Sequence, residues 1–304
     1  LTTGKCRTFK RALAAAKVED YRRDNDYNVD FNIKERWGIP STVMRFKKAD
    51  VQLQKICNLI SKDEELEWKK REGVNFGQST IPVYGMAADL AEFLITYYTP
   101  ENGLVLDQFS GRFTIGIAAL NNGRRFIGYD LNPKNVERAR QVITKHICSD
   151  TSRFNLESTD GVTLKELDGK TEYLDAIVTD PPYVLKAENY SDDPREIGNL
   201  THKEYLKKIK LNFQRCYDLI KTSNYEEKIF YPVIFKVGTG RRGKQGIIDM
   251  DSIFQSIASD VGFVLWDKLT NQLHTPYAAM NWERNFVNKY VQKNVETSLV
   301  WVKF

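Results

Sequence analysis

Leu174-Asp175-Ala176-Ile177-Val178-Thr179-Asp180-Pro181-Pro182-Tyr183 decides how the rest of the chain is read. A short apolar run with β-branched residues predicts a buried strand, which puts a carboxylate and two prolines just beyond its C-terminal end. Open α/β sheets bind their ligands at that end of their strands. Consecutive prolines fix their own φ and bias the preceding residues towards extended geometry, so Asp180, the proline carbonyls and the Tyr183 ring form a rigid arc. Such an arc suits a planar group with an exocyclic NH2: a carboxylate and a carbonyl accept its hydrogens while an aromatic ring stacks on its face. The same four residues also occur as an ordinary exit from a strand, so their neighbours decide.

Upstream, strands and helices alternate. Residues 89–98, with Leu90, Phe93, Leu94 and Tyr97 spaced for one face, predict an amphipathic helix that 99–103 closes. Residues 104–106 predict a strand ending at Asp107, 109–113 a turn and 114–120 a helix stopped by Gly123. Residues 125–129 predict a second strand with Asp130 at its tip, 133–147 a helix, and 154–158 a third strand with Asp160 just beyond. An acid at each strand's carboxyl end suits a nucleoside-containing ligand: the first turn lets backbone approach it, and the second acid accepts from ribose hydroxyls. A Gly-bearing turn also occurs in any doubly wound protein.

Downstream, the polar stretch 186–199 is expected to be a mobile loop over the site, and 201–219 a helix whose Thr201 and Glu204 form a capping box. Residues 228–237 predict the fifth strand. The loop after it, Gly238-Thr239-Gly240-Arg241-Arg242-Gly243-Lys244, is cationic, and Arg241, Arg242 and Lys244 are candidates for phosphate-backbone contact. A helix over 249–259 and strands over 263–269 and 295–304 complete the pattern. With no helix of useful length between them, the last two strands are expected to pair antiparallel. The fold class expected is α/β, a doubly wound, mostly parallel seven-stranded sheet with a terminal antiparallel hairpin, spanning residues 76–304.

Residues 1–75 lack this alternation. Residues 9–18 are Ala-rich, basic and helical in pattern, 21–30 read as a loop, and 51–60 carry apolar spacing near that of a helix. The segment is expected to be a small helical extension serving DNA contact or partner docking. Over residues 1–80 Lys and Arg number 17 against 12 Asp and Glu, an excess equal to the +5 of the whole chain. That bias is compatible with nucleic acid and also with a solvated charged face.

Composition bounds the class. The 304 residues, 41% hydrophobic and 12% aromatic, suffice for one large α/β domain with an extension. No apolar run reaches the roughly 18 residues of a membrane span, and nothing at the start resembles a signal peptide. Cys6, Cys57, Cys148 and Cys216 lie far apart without a CxxC pair, which points to reduced thiols and a cytoplasmic protein. With three histidines in all, no metal site is expected.

Together these residues resemble the S-adenosylmethionine-dependent amino-methylating DNA methyltransferases, adenine type, whose catalytic tetrad is Asp-Pro-Pro-Tyr. The similarity spans about residues 77–304. Gln78-Ser79-Thr80-Ile81-Pro82 resembles the family segment at the methionine end of the cofactor, with Thr80 and Pro82 as its contacts. Asp107-Gln108-Phe109-Ser110-Gly111 resembles the cofactor loop, and the run from Gly123 through Asp130-Leu131-Asn132-Pro133 the ribose-binding strand. Asp160 resembles the partner of the adenine ring. The implied reaction is methyl transfer from S-adenosylmethionine to the amino group of a flipped base, with Asp180 and the Pro181 carbonyl holding the NH2, Pro182 fixing the arc and Tyr183 stacking. A role in restriction-modification is one expectation among regulation and phage defence.

The sequence departs from the family pattern twice. Phe113 stands where the family loop has a second glycine, so the cofactor is held a little differently, its binding is weakened, or the ring packs under the turn. No target-recognition segment fits between the motifs, which leaves residues 1–75, the loops at 184–200 and 270–290, or a separate recognition subunit or domain outside this chain. Methylation of an RNA base at guanine N2, cytosine-N4 methylation and a catalytically silent nucleic-acid-binding subunit are the alternatives.

Overall fold

Every residue of Leu104–Asp107, Ala176–Thr179 and Val233–Val237 is buried, the signature of central strands covered on both faces. The computed structural model describes residues 43–44, 51–60, 86–183, 193–238, 242–243, 246–272 and 295–304. The chain divides into units Leu1–Pro40 and Ser41–Phe304, and all described residues belong to the second. In chain order its elements are β1 (Val43–Met44), α1 (Val51–Ile60), α2 (Ala88–Tyr98), β2 (Leu104–Asp107), α3 (Thr114–Asn121), β3 (Arg125–Asp130), α4 (Pro133–His146), β4 (Phe154–Ser158), β5 (Ala176–Thr179) and α5 (His202–Leu219). They continue with β6 (Val233–Val237), β7 (Arg242–Gly243), β8 (Gly246–Ile247), α6 (Met250–Val261), β9 (Val264–Gln272) and β10 (Val295–Val302).

The main sheet runs β1-β9-β10-β6-β5-β2-β3-β4. From β4 to β6 neighbouring strands are parallel, while β10 is antiparallel to both β6 and β9. The expected seven strands are all present, and a two-residue strand, β1, adds itself to the outer edge of β9. Strand order reverses between β2 and β5, which makes their carboxyl ends the topological switch point.

One aromatic nucleus ties the β6 side together. Phe213 of α5 stacks on Phe235 of β6 with centroids 4.6 Å apart, and Phe254, Phe263 and Trp301 meet it edge-on. Such pairs add about 0.5–1.5 kcal/mol each beyond the area they bury. The capping box at Thr201 and Glu204 forms as the sequence predicts and sets the start of α5. Helix α1, the 51–60 segment of the extension, packs on α2, α3 and α4. It buries Leu53, Cys57 and Ile60 at helical spacing, and the Arg138 Nε of α4 donates to the Leu59 carbonyl at 3.3 Å. Burial pushes the Cys57 thiol up to about 11, with the Thr114 hydroxyl opposing.

Some boundaries differ from expectation for local reasons. Strand β6 starts at Val233 rather than 228, because Asn224 and Ile229 close a turn and Lys228 is left-handed there. Helix α2 is buried on more than one stripe, Ile95 included, while Tyr97 is 44% exposed and stacks on Phe93 instead of entering the core. Residues 193–199, read as part of a mobile loop, form a built turn: Glu196 accepts from the Gly198 amide and Ile197 joins the core. The cationic loop after β6 contains β7, which pairs antiparallel with β8 just beyond it.

Candidate active site

Strand β2 delivers Asp107 to the switch point with 1% of its surface exposed. The turn that follows is closed by its own backbone. Ser110 Oγ donates to the Asp107 carbonyl at 2.8 Å, the Ser110 amide to the Tyr129 carbonyl at 2.8 Å, and the Phe113 amide to the Ser110 carbonyl at 2.6 Å. Gly111 and Phe113 both take left-handed backbone, at φ 47° and 56°. Glycine does so without strain, whereas Phe113 is held there by burial of its ring, which is wholly enclosed. A Cβ placed on Gly128 would come within 2.9 Å of the ring's Cε1, so the ring lies under the turn against β3. Packing under the turn, one of the readings of Phe113, is thus what the ring does.

The three strand-end acids lie at one edge of the sheet, where Asp130 and Asp180 both act on Asp107. Asp107 Oδ1 accepts from Thr179 Oγ1 at 2.7 Å and from the Phe109 amide at 3.2 Å. Burial raises its carboxyl to about 7 against those two donors, and the charges of Asp180 and Asp130 add to the rise. Asp130, on the neighbouring strand, accepts from the Gly111 amide through Oδ2 and from the Asn132 amide through Oδ1, both at 2.9 Å. The acid at the end of β3 is thereby tied to the glycine of the turn after β2. Leu131 is half-buried beside it, and Ser158 Oγ donates to its carbonyl at 3.1 Å.

Asp160 organises the next turn, accepting from the Val162 amide at 2.9 Å and Thr163 Oγ1 at 3.0 Å. Gly161 has no room for a side chain: a Cβ there would lie 1.9 Å from the Gln108 carbonyl oxygen. The loop after β2 and the turn after β4 are therefore in direct backbone contact, and Asn212 of α5 fastens them. Its fully buried amide donates to the Gly161 and Val162 carbonyls at 3.0 and 3.2 Å and accepts from Gln108 Nε2 at 3.0 Å.

Beyond β5, Asp180 has both oxygens engaged. Tyr183 OH donates to Oδ1 at 2.7 Å and Lys236 Nζ to Oδ2 at 2.8 Å. The Tyr183 ring lies over Gly238, where a Cβ would stand 3.0 Å from the ring's Cζ. Burial and then the Asp180 charge hold the phenol well above its ordinary range, so it is a hydrogen-bond donor at any neutral pH. Pro181 is buried and Pro182 half-buried, which keeps the arc rigid. Lys236 also pairs with Glu296 at 3.0 Å. Burial alone would push its ammonium down, but Asp180 and Glu296 outweigh that and hold it above its ordinary value.

The sequence-predicted Asp107, Phe109, Ser110, Gly111, Asp130, Leu131, Asp160 and the 180–183 tetrad thus fall at the carboxyl edge of β2, β3, β4 and β5. Thr80, Pro82, Arg241 and Lys244 lie outside the described residues, as do the Arg242 side chain and the loops 184–192 and 273–290. Sequence reading missed Lys236, Glu296 and Asn212. The first carried a signal, a lone charge inside the apolar run Val233-Ile234-Phe235-Lys236-Val237. Among the described residues no group of His, Cys, Asp and Glu could hold a metal ion, and no helix is long and apolar enough to cross a membrane.

Residues 25–141 match the family model described as DNA methylase, an N6/N4 methyltransferase domain. That match supports methyltransferase activity. It runs from within the N-terminal extension through the loop after β2 and through β3, and ends before the tetrad. No curated protein matches the chain. Among solved structures, the chain is similar in fold to a TehB-like SAM-dependent methyltransferase from Corynebacterium glutamicum, with 16% identity, 80% of this chain and 98% of that one covered, and a TM-score of 0.43. TrmN from Thermus thermophilus gives 16% identity over 73% of this chain and 51% of that one, with a TM-score of 0.44. Magnesium protoporphyrin IX methyltransferase from Synechocystis, solved with bound SAM, gives 11% identity over 85% and 100%, with a TM-score of 0.46.

Proposed function

We propose that the chain is a DNA adenine-N6 methyltransferase that uses S-adenosylmethionine and acts on a base flipped out of the duplex. The observation that carries this reading is the joined pair of Asp180 and Tyr183 beside buried Asp107, where an amino-bearing ring and a methyl donor would meet. The match of residues 25–141 to the DNA methylase family supports the same chemistry.

The residues present fit the cofactor. Gly161 and Gln108 meet backbone to backbone, Gly111 is side-chain-free at the turn, and Asp107 and Asp130 offer carboxylates to a ligand carrying an ammonium and a ribose diol. Thr80 and Pro82 would hold its methionine end, and Asp160 with Leu131 its adenosine end. When bound, S-adenosylmethionine supplies a methyl group already activated by a sulfonium charge.

The chain's own work is orientation. Asp180 accepts one hydrogen of the target NH2 and the Pro181 carbonyl the other, which withdraws the nitrogen lone pair from the ring and aims it at the donor. Each Asp180 oxygen keeps accepting capacity beyond its bond to Tyr183 or Lys236, so the amine need not displace either. Tyr183 supplies the stacking face. The transient methylated cation is a far stronger acid than any carboxyl group, so Asp180 takes the proton without being a strong base. Arg241, Arg242 and Lys244 contact the phosphate backbone, and residues 1–75 contact DNA or dock a recognition partner in the cytoplasm.

The test is transfer of tritiated methyl from S-adenosylmethionine to DNA, tRNA and rRNA, followed by nucleoside digestion and mass spectrometry. N6-methyladenine in DNA, absent with Asp180→Ala while that variant still binds the cofactor, is the expected result. N4-methylcytosine in DNA or N2-methylguanine in RNA would move the assignment to that base. Full turnover by Asp180→Ala would overturn it. Neutralising Arg241, Arg242 and Lys244 together should reduce the salt dependence of DNA binding.

A further inference from the structure

Strand register sets three ionic side chains in a row. Thr179 of β5 pairs with Phe235 of β6, and Thr297 of β10 pairs with Val237 of β6. One step beyond the first pair Asp180, just past β5, comes level with Lys236; one step beyond the second Glu296 comes level with Gly238, diagonal to Lys236 on the same face of the sheet, so the lysine lies between the two acids. Lys236 is 3% exposed and touches both acids, at 2.8 Å and 3.0 Å. Along β6 it shares a face with Gly238, over which the Tyr183 ring lies, while Val233, Phe235 and Val237 face the core on the other side.

A buried ion pair is poor evidence for stability, since an apolar pair of the same size commonly serves as well. What Lys236 does that an apolar residue could not is hold one carboxylate oxygen of Asp180 with a charge. With Oδ2 fixed there and Oδ1 bonded to Tyr183, the carboxylate plane has one orientation. Glu296, Asp107, Tyr183 and Tyr205 also feel the Asp180 charge, and none of these four supplies a cation to it.

We propose that Lys236 is a positioning residue for methyl transfer: it holds Asp180 as an oriented anion, and Glu296 on its far side fixes the lysine in turn. This rests on the reading of Asp180 given above. Without the ammonium, Oδ2 loses its charged donor and the carboxylate is free to turn about its Cβ–Cγ bond. A freely turning carboxylate presents its oxygens to the amine in more than one direction.

The experiment compares wild type, Lys236→Met, Lys236→Arg and the double variant Lys236→Met/Glu296→Gln, which removes the stranded charge and guards against loss of folding. The first readout needs no activity: crystal structures of the variants. The Asp180 carboxylate should leave its wild-type plane in Lys236→Met and keep it in Lys236→Arg. The second readout is steady-state transfer. In Lys236→Met kcat should fall about tenfold or more with cofactor affinity within about threefold, and Lys236→Arg should restore most of it. The same direction, smaller in size, is expected in the double variant. An Asp180 carboxylate that keeps its wild-type orientation in both methionine variants would overturn the inference, as would a Lys236→Arg variant no better than Lys236→Met. If wild type methylates no nucleic acid, the functional reading fails on its own, and the structures still decide the role of Lys236.

Discussion

Thr179 Oγ1 donates to Asp107 Oδ1 across 2.7 Å, joining the last residue of β5 to the last residue of β2 at the switch point. The next residue, Asp180, turns the other way and meets Lys236. Two consecutive residues therefore point to opposite sides, Thr179 to Asp107 and Asp180 to Lys236, as the twofold alternation of a strand dictates.

Thr179→Val keeps the shape of the side chain and removes that donor. Asp107 retains the Phe109 amide at 3.2 Å, a longer and weaker bond, so its carboxyl should rise further above about 7. A bond to an ionised acceptor contributes about 1.5–3 kcal/mol and one to a neutral acceptor about 0.5–1.5. The loss of stability should consequently be larger at pH 8.5 than at pH 5.5. Urea unfolding at the two pH values measures this, and equal losses would place the Asp107 proton elsewhere.

Asp107 also gives the whole chain a pH signature. Its carboxyl is raised from 3.8 to about 7 in the folded protein, so between those values the folded state holds a proton that the unfolded state has lost. A folded-state value above the unfolded one means a contribution fully present below pH 3.8 and lost as pH climbs towards 7, with a slope of about 1.4 kcal/mol per pH unit at its steepest. Asp107→Asn carries no such proton. Its stability should decline less between pH 4 and 7 than that of wild type, by chemical denaturation at matched ionic strength.

The crevice was legible because its acids stand at strand ends. Asp107, Asp130 and Asp180 each follow a short apolar run, and a parallel sheet brings such ends to one edge whatever the loops do. The clamp on Asp180 was not legible. Lys236 could have been flagged as a charge in a buried strand, but its second partner depends on β10, rather than β9, lying against β6. Sequence shows that the last two strands pair; it does not show which of them the sheet takes first. Asn212 had a similar signal, a polar residue amid Ile209, Phe213 and Cys216 on the buried face of α5, yet its task is defined by two turns some 50 and 100 residues upstream. At Phe113 the sequence left the readings open, and the ring fills space under the turn beside Gly128.

Tyr183 has a hydroxyl bonded to Asp180 and a ring resting over Gly238, and the two can be separated. Tyr183→Phe keeps the ring and frees Asp180 Oδ1, so transfer should persist within about threefold of wild type. Tyr183→Ala removes the stacking face, which is worth about 1–3 kcal/mol for a base on an aromatic ring, or roughly 5-fold to 150-fold in kcat/KM. Steady-state kinetics on the methylated substrate separate the two roles. A Phe variant as poor as the Ala variant would mean that the hydroxyl carries the effect.

Two glycines in the crevice should respond differently to the same added methyl group. At Gly161 the Cβ would meet the Gln108 carbonyl oxygen at 1.9 Å, a backbone atom that moves only if the loop after β2 moves with it. Gly161→Ala should therefore cost about 2 kcal/mol or more and also weaken S-adenosylmethionine binding, because the displaced loop carries Asp107 to Gly111. At Gly111 no heavy atom lies within 4 Å of the place a Cβ would take, and the penalty comes from backbone at φ 47°. Gly111→Ala should cost about 1 kcal/mol, with the fold and Asp107 undisturbed. Urea midpoints and equilibrium dialysis on the pair distinguish the cases. Equal losses would show that the contact between Gly161 and Gln108 does not hold the loop.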